Sequence, residues 1–163
     1  MIDEKKLSRR YAVRRLTAED AEAVYALCHE NSIFYRHHPP MVTVESVLED
    51  MNALPPNKTF ADKYFVGFWN GEALIAVLDL IDGYPRADIA YIGFFMTDVS
   101  AQGKGVGSAM ISECAAYLKS RGFRGIRLAV DKGNPQSLHF WSKNHFSVDE
   151  TYVGKLIVMD RKL

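Results

Sequence analysis

What the sequence lacks narrows its class before any motif is read. Its 163 residues include two cysteines, Cys28 and Cys114. That is too few for a disulfide scaffold, and each lies in a helical pattern where a small buried thiol is the ordinary outcome. The first twenty residues contain no apolar stretch of the signal-peptide kind. The longest apolar runs, such as Ile89 to Met96, fall far short of a membrane span. Charge of neither sign is in excess, because 20 Lys and Arg balance 20 Asp and Glu. That balance does not suit a chain that coats nucleic acid or clings to an acidic membrane. No repeat, linker or low-complexity run is present. What remains is an ordinary globular composition, 48% apolar and 25% charged, over a length that suits one domain spanning 1–163. The expectation is a cytoplasmic protein with reduced thiols and neither a nucleic-acid nor a membrane partner. A homodimer is left open.

The apolar pattern lays out the elements. Tyr11 to Leu16 alternates loosely as a strand. Thr17 caps a helix, with Asp20 in a capping-box position and Ala21, Val24, Leu27 and Cys28 at helical spacing. A loop of unusual content follows from Asn31 to Pro40. Thr43 opens a second helix with Val44, Val47, Leu48, Met51 and Leu54 on one face, stopped by Pro55-Pro56. Tyr64 to Trp69 and Ala73 to Ile81 form a hairpin around Asn70-Gly71. Asp88 to Thr97 is apolar throughout, as a central strand is. The next helix turns Met110, Ile111, Cys114, Ala115 and Leu118 inward and stops at Gly122. Ile126 to Val130 is a strand, Pro135 to Asn144 a helix, and Phe146 to Val153 pairs with Leu156 to Asp160. The order predicts an α/β fold. Its mixed, mostly antiparallel sheet has about six to seven strands, about four helices flank it, and one strand–helix–strand unit is parallel.

Chemistry enters at Gln102-Gly103-Lys104-Gly105-Val106-Gly107-Ser108, between the central strand and an amphipathic helix. Glycines here permit positive φ and leave backbone N–H groups uncovered at the positive end of a helix, a seat for phosphate. An ordinary loop would also accept them. Two commoner phosphate motifs fail. A dinucleotide G-x-G-x-x-G starting at Gly103 needs glycine at Ser108, and a P-loop needs glycine at Asp98 and Ser or Thr at Gly105. The stretch resembles instead the Q/R-x-x-G-x-G/A signature of the GNAT superfamily of acyl-CoA-dependent N-acetyltransferases. Asn134-Pro135-Gln136-Ser137, followed by Phe140 to Phe146, is similar to that family's asparagine helix. The element order also matches its fold.

The resemblance implies acetyl-CoA as donor, no metal, and an amine of a small molecule or peptide as acceptor. It implies that backbone near Phe95, Met96 and Thr97 pairs with pantetheine, and that amides from Gln102 to Ser108 hold the pyrophosphate. Asn134, Phe140 and Trp141 would line the pantetheine. Lys104 and Lys143 are either phosphate partners or surface lysines. The family's frequent acid is a tyrosine, but Trp141 stands at that position, and an indole N–H is no useful proton source. His145 replaces the glycine of the family's closing phrase. By strand alternation Tyr91 shares a face with Gly93 and Phe95, so Tyr91 is either a catalytic acid or water-positioner or a packing residue. His139 and His145 are either acid–base candidates or surface residues. The family's acceptor site lies under the segment that here carries Phe34, Tyr35, Arg36, His37 and His38. These residues either enclose a small, partly anionic amine or pin a loop. Adjacent His37 and His38 rarely converge on a metal. The missing tyrosine keeps a second reading open, a non-catalytic acyl-CoA-binding or regulatory domain. A nucleotide-phosphate-binding protein using the same loop is a third.

Overall fold

The computed structural model describes the backbone of residues 1–163 and all side chains except those of residues 151–153. Seven strands form one sheet: β1 (Ala12–Arg15), β2 (Lys63–Asn70), β3 (Ala73–Ile81), β4 (Ile89–Thr97), β5 (Gly125–Asp131), β6 (Ser147–Val153) and β7 (Leu156–Lys162). Their order is β1-β2-β3-β4-β5-β7-β6, and β4–β5 is the parallel pair. The helices are α1 (Ala21–His29), α2 (Ser32–His37), α3 (Val44–Asn52), α4 (Val106–Ser120) and α5 (Pro135–Lys143). None is long and apolar enough to cross a membrane among the described residues.

The architecture follows the expected α/β arrangement with one correction. The Asn31–Pro40 stretch is not simply a loop, because Ser32–His37 forms the short helix α2. Its buried start explains this. Asn31 donates to the Leu27 carbonyl at 2.9 Å and so turns the chain directly off α1. The capping boxes at Thr17/Asp20 and Thr43/Ser46 are both formed.

The sheet separates two cores. On one face α4 and α5 bury Met110, Ile111, Leu118 and Trp141 against Leu78, Ile92 and Leu128. On the other, α1 and α3 bury Val24, Leu27 and Val47 against Phe65, Val77 and Met96. The N-terminal residues belong to the first core. Ile2 and Leu7 are buried there, and Ser8 Oγ and the Arg9 amide donate to Glu113 on α4 at 2.7 and 2.8 Å.

Candidate functional site

The site begins where β4 and β5 part. Their parallel pairing runs from Ile89↔Gly125 to Ile92↔Leu128 and stops. Beyond it β4 keeps its β3 partner and β5 its β7 partner. A V-shaped gap is left between Gly93–Thr97 and Ala129–Asp131. A bulge lies where the gap opens. The β3–β4 register steps from Asp79↔Phe94 to Leu80↔Ile92 and skips Gly93. A Cβ on Gly93 would lie 2.7 Å from Asp79 Oδ2, so the carboxylate sits directly against the bulge. A cavity of about 680 Å³ passes through the gap and is lined from both faces of the sheet, a volume in the usual range for ligand sites.

The bulge corrects one sequence expectation. Inserting a residue flips the alternation, so Tyr91 and Phe95 do not share a face. Ala90, Ile92 and Phe95 point to the α4/α5 side, and Phe94 and Met96 to the α1/α3 side. Tyr91, which alternates with Ala90 and Ile92, belongs to the α1/α3 side. It still lines the cavity. Its ring packs edge-on against Tyr84, with centroids 5.4 Å apart. Burial pushes its phenol up from the ordinary value, with Arg127 pulling the other way.

On the α4/α5 side the glycine loop meets α4. Gly103 and Gly105 adopt φ of 71° and 76°, and a Cβ built on either meets nothing within 4 Å. Among the described residues neither amide donates a hydrogen bond within the protein. Ala109 is the first residue of α4 to donate back, to the Gly105 carbonyl at 3.0 Å, which leaves the first-turn amides toward the cavity. At Gly107 the packing is tight. A Cβ there would be 3.3 Å from the Phe140 ring and 3.4 Å from Thr97. Asn144 locks the two helices together, donating to Ser108 Oγ at 3.1 Å and the Phe140 carbonyl at 2.8 Å. Phe95, Phe140 and Trp141 form an aromatic wall, with centroids between 4.9 and 6.0 Å apart. His145 ends α5 at φ 69°, a left-handed conformation that glycine adopts at lower cost.

Most of the residues expected at the cofactor line this cavity: Phe95, Met96, Thr97, Gln102, Gly103, Gly105, Val106, Gly107, Ser108, Phe140, Trp141 and Lys143. Two do not. Lys104 is exposed outside it. Asn134 is 1% exposed and turns inward as the cap of α5, accepting from the Ser137 amide at 3.1 Å. The Gln102 side chain is also spoken for. Its Nε2 donates to Asn31 Oδ1 at 2.6 Å and to the Thr97 carbonyl at 3.1 Å, while Asn31 Nδ2 donates to the same carbonyl at 3.1 Å. This knot ties α1, β4 and the glycine loop together.

On the α1/α3 side, Phe34, Tyr35 and His38 line the cavity, whereas Arg36 and His37 are exposed and off it. Phe34 packs edge-on against Phe94 at 5.9 Å. The Tyr35 phenol and the Cys28 thiol influence each other across the α1/α3 core, and burial pushes both groups up, Cys28 to about 11. Sequence reasoning missed the polar floor. Lys63, 3% exposed, grips both oxygens of Asp79 at 2.8 Å. His38 Nδ1 meets both oxygens of Asp131 at 3.1 and 3.0 Å, bridging α2 to the end of β5. Asp50 on α3 lines the same chamber. Burial pushes the Asp79 carboxyl up, with Lys63 opposing, while Asp50 is exposed at the rim. Of the residues expected to enclose a partly anionic amine, Phe34 and Tyr35 wall this side, Arg36 and His37 do not, and the carboxylates of Asp79 and Asp131 are each paired.

This geometry can be compared with known proteins. The model of the Acetyltransferase (GNAT) family matches residues 11–146. An acetyltransferase of Pectobacterium atrosepticum is 27% identical over 151 residues, 92% of this chain and 98% of that one. The mycothiol acetyltransferase of Propionibacterium freudenreichii is 33% identical over 73 residues, 45% of this chain and only 22% of its own. The crystal structure of an acetyltransferase from Thermus thermophilus superposes with a TM-score of 0.78 at 24% identity, covering 93% of this chain and 96% of the other. A matched model over most of the length and a shared fold lead to one statement: the chain belongs to the acetyltransferase (GNAT) family.

Proposed function

We propose that the protein transfers the acetyl group of acetyl-CoA to a primary amine by direct attack. The observation that carries this reading is the gap between β4 and β5, open to both faces of the sheet with uncovered amides at one end. A thioester and an amine can meet there from opposite sides. Amides from Gly103 to Ser108 are the seat for the pyrophosphate. Phe95, Phe140 and Trp141 wall the acyl arm, and Phe34 and Tyr35 bound the amine. The amine nitrogen attacks the thioester carbonyl carbon, and the developing oxyanion takes a hydrogen bond from a backbone N–H at the unpaired β4 edge. The C–S bond then breaks. The amide nitrogen loses its proton and the thiolate gains one.

A free-thiol release assay with acetyl-CoA and a panel of amines tests this. CoA binding without turnover of any amine would overturn it and leave an acyl-CoA-binding domain. Replacing Phe34 and Tyr35 by alanine is expected to raise the amine KM more than the acetyl-CoA KM. The opposite pattern in steady-state kinetics would move this wall to the cofactor side. Tyr91 is the phenol that β4 itself brings to the amine side, beside the opening of the gap. If it delivers or relays the proton, Tyr91→Phe lowers kcat by about tenfold or more at unchanged acetyl-CoA affinity. Trp141→Phe, by contrast, changes packing without removing an acid. A kcat drop under about threefold for Tyr91→Phe would return that residue to packing against Tyr84.

A further inference from the structure

A primary amine arrives near neutral pH as an ammonium and must lose one proton before its lone pair can attack. Most groups on the amine side of the cavity are unsuited to take that proton. Both oxygens of Asp79 are held by Lys63 at 2.8 Å. The Tyr91 phenol, pushed up by burial, is an acid rather than a base. Asp50 is exposed at the rim, and among the described residues nothing orients its carboxylate. His139 reaches the cavity from α5, on the opposite face of the sheet. His38 differs from all of these. Its Nδ1 lies 3.1 and 3.0 Å from the two oxygens of Asp131. An ionised carboxylate only accepts, so in the neutral ring Nδ1 carries the hydrogen and Nε2 the lone pair. Among the described residues Nε2 has no hydrogen-bond partner.

We infer that His38 is the general base that deprotonates the acceptor ammonium, and that Asp131 positions it. The inference rests on the acetyl-transfer reading of the same cavity and adds a residue to it. The fold carries the pair across the gap. His38 follows α2, and one ring, Phe34, stands between its imidazole and Phe94 on the unpaired length of β4, with centroid separations of 5.4 and 5.9 Å. Asp131 ends β5, the other arm of the gap. Ile126, Leu128 and Val130 point to the α4/α5 side, so alternation turns Asp131 to the amine side. The pair thus bridges both arms on the face from which the amine enters. Nε2 takes one proton from the ammonium and leaves a neutral amine. The amine nitrogen attacks the carbonyl carbon, the C–S bond breaks, and the second nitrogen proton ends on the thiolate. The imidazolium, stabilised by Asp131, returns its proton to water, which reaches a side chain 54% exposed. The charged groups around the ring are Asp131 on β5, Asp50 on α3, and the exposed Arg36 and His37 beside it in the chain. Of these, Asp131 is the one in contact with it.

The test uses two amines of similar size: ethylamine, protonated near neutral pH, and 2,2,2-trifluoroethylamine, neutral there. Thiol release from acetyl-CoA gives kcat/KM for wild type, His38→Gln and Asp131→Asn, and calorimetry gives their CoA affinity. With ethylamine at about pH 7, His38→Gln is expected to lose about a hundredfold and Asp131→Asn about tenfold. With trifluoroethylamine, which arrives without the proton, each loss should stay below about threefold. Raising the pH to about 9.5 should shrink the ethylamine losses, because alkali then does the work of His38. CoA affinity and melting temperature should match wild type. A merely structural pair would lower both amines alike at every pH. That pattern, or an ethylamine loss under about threefold for His38→Gln, would overturn the assignment. The pH series is repeated with any other amine the wild type acetylates, so a poor fit for ethylamine does not leave the matter open. Wild-type turnover of no amine at all is a different failure, which would overturn the acetyl-transfer reading and this inference with it.

Discussion

Gly105→Val is expected to raise the CoA dissociation constant by about tenfold to a hundredfold while the protein stays folded. Gly105 is the cap of α4 at φ 76° and ψ 5°. A β-branched side chain is strained there at a cost of about 1–3 kcal/mol. Nothing lies within 4 Å of its Cβ, so the protein itself raises no clash. The damage falls on the ligand. The loop relieves the strain by moving its φ, which turns the first-turn amides away, or keeps its φ and places two methyl groups over them. Either outcome removes hydrogen bonds to charged phosphate oxygens, each worth about 1.5–3 kcal/mol. Gly105→Ala keeps the strain with less bulk and is expected to fall between wild type and Gly105→Val. Calorimetric titration of CoA, with circular dichroism to verify folding, checks this series. Unchanged affinity in a folded Gly105→Val protein would remove the pyrophosphate from this loop.

What the sequence disclosed and what it hid divide along physical lines. The strands and the larger helices were legible because each has a period, a cap or a stop: Thr17/Asp20, Thr43, Asn70-Gly71 and Gly122 all do in the structure what their chemistry suggests. The glycine loop was legible because alternate glycines before a helix have few other uses. α2 was hidden because its six residues turn no buried side chain inward. The sided position of Tyr91 was hidden by a single inserted residue at Gly93, and no pattern of period two carries a sign of a bulge except the glycine itself. The acceptor floor was hidden for a different reason. Lys63 reads as the polar edge of a strand and Asp79 as a lone break in an apolar one. Only their pairing across β2 and β3 brings them together, 16 residues apart. Asp50 and His38 come from two further elements. A site assembled from four segments leaves no local motif, whereas a phosphate loop is one segment and does.

That hidden pair should dominate stability when broken. Lys63 and Asp79 have side-chain exposures of 3% and 13%. Removing the ammonium leaves a carboxylate buried and unmatched, with Asp50 adding repulsion. Lys63→Met is expected to cost about 3–5 kcal/mol near neutral pH. The double variant Lys63→Met/Asp79→Leu, which removes both charges and keeps apolar volume, should recover most of that loss. The pH dependence has a definite sign. Burial already holds the Asp79 carboxyl above its ordinary value in spite of Lys63. A group raised in the folded state contributes stability that is fully present below its unfolded value and is lost as pH rises through its folded one. Without Lys63 the folded value rises further, so the window of loss extends upward. The deficit of Lys63→Met relative to wild type should therefore grow from pH 5 to pH 8, because at pH 5 the isolated Asp79 escapes the penalty by taking a proton. Urea unfolding at the two pH values measures it. A deficit below about 1 kcal/mol at pH 8 would place the pair with surface ion pairs, and a deficit equal at both values would mean that Asp79 keeps its charge without Lys63.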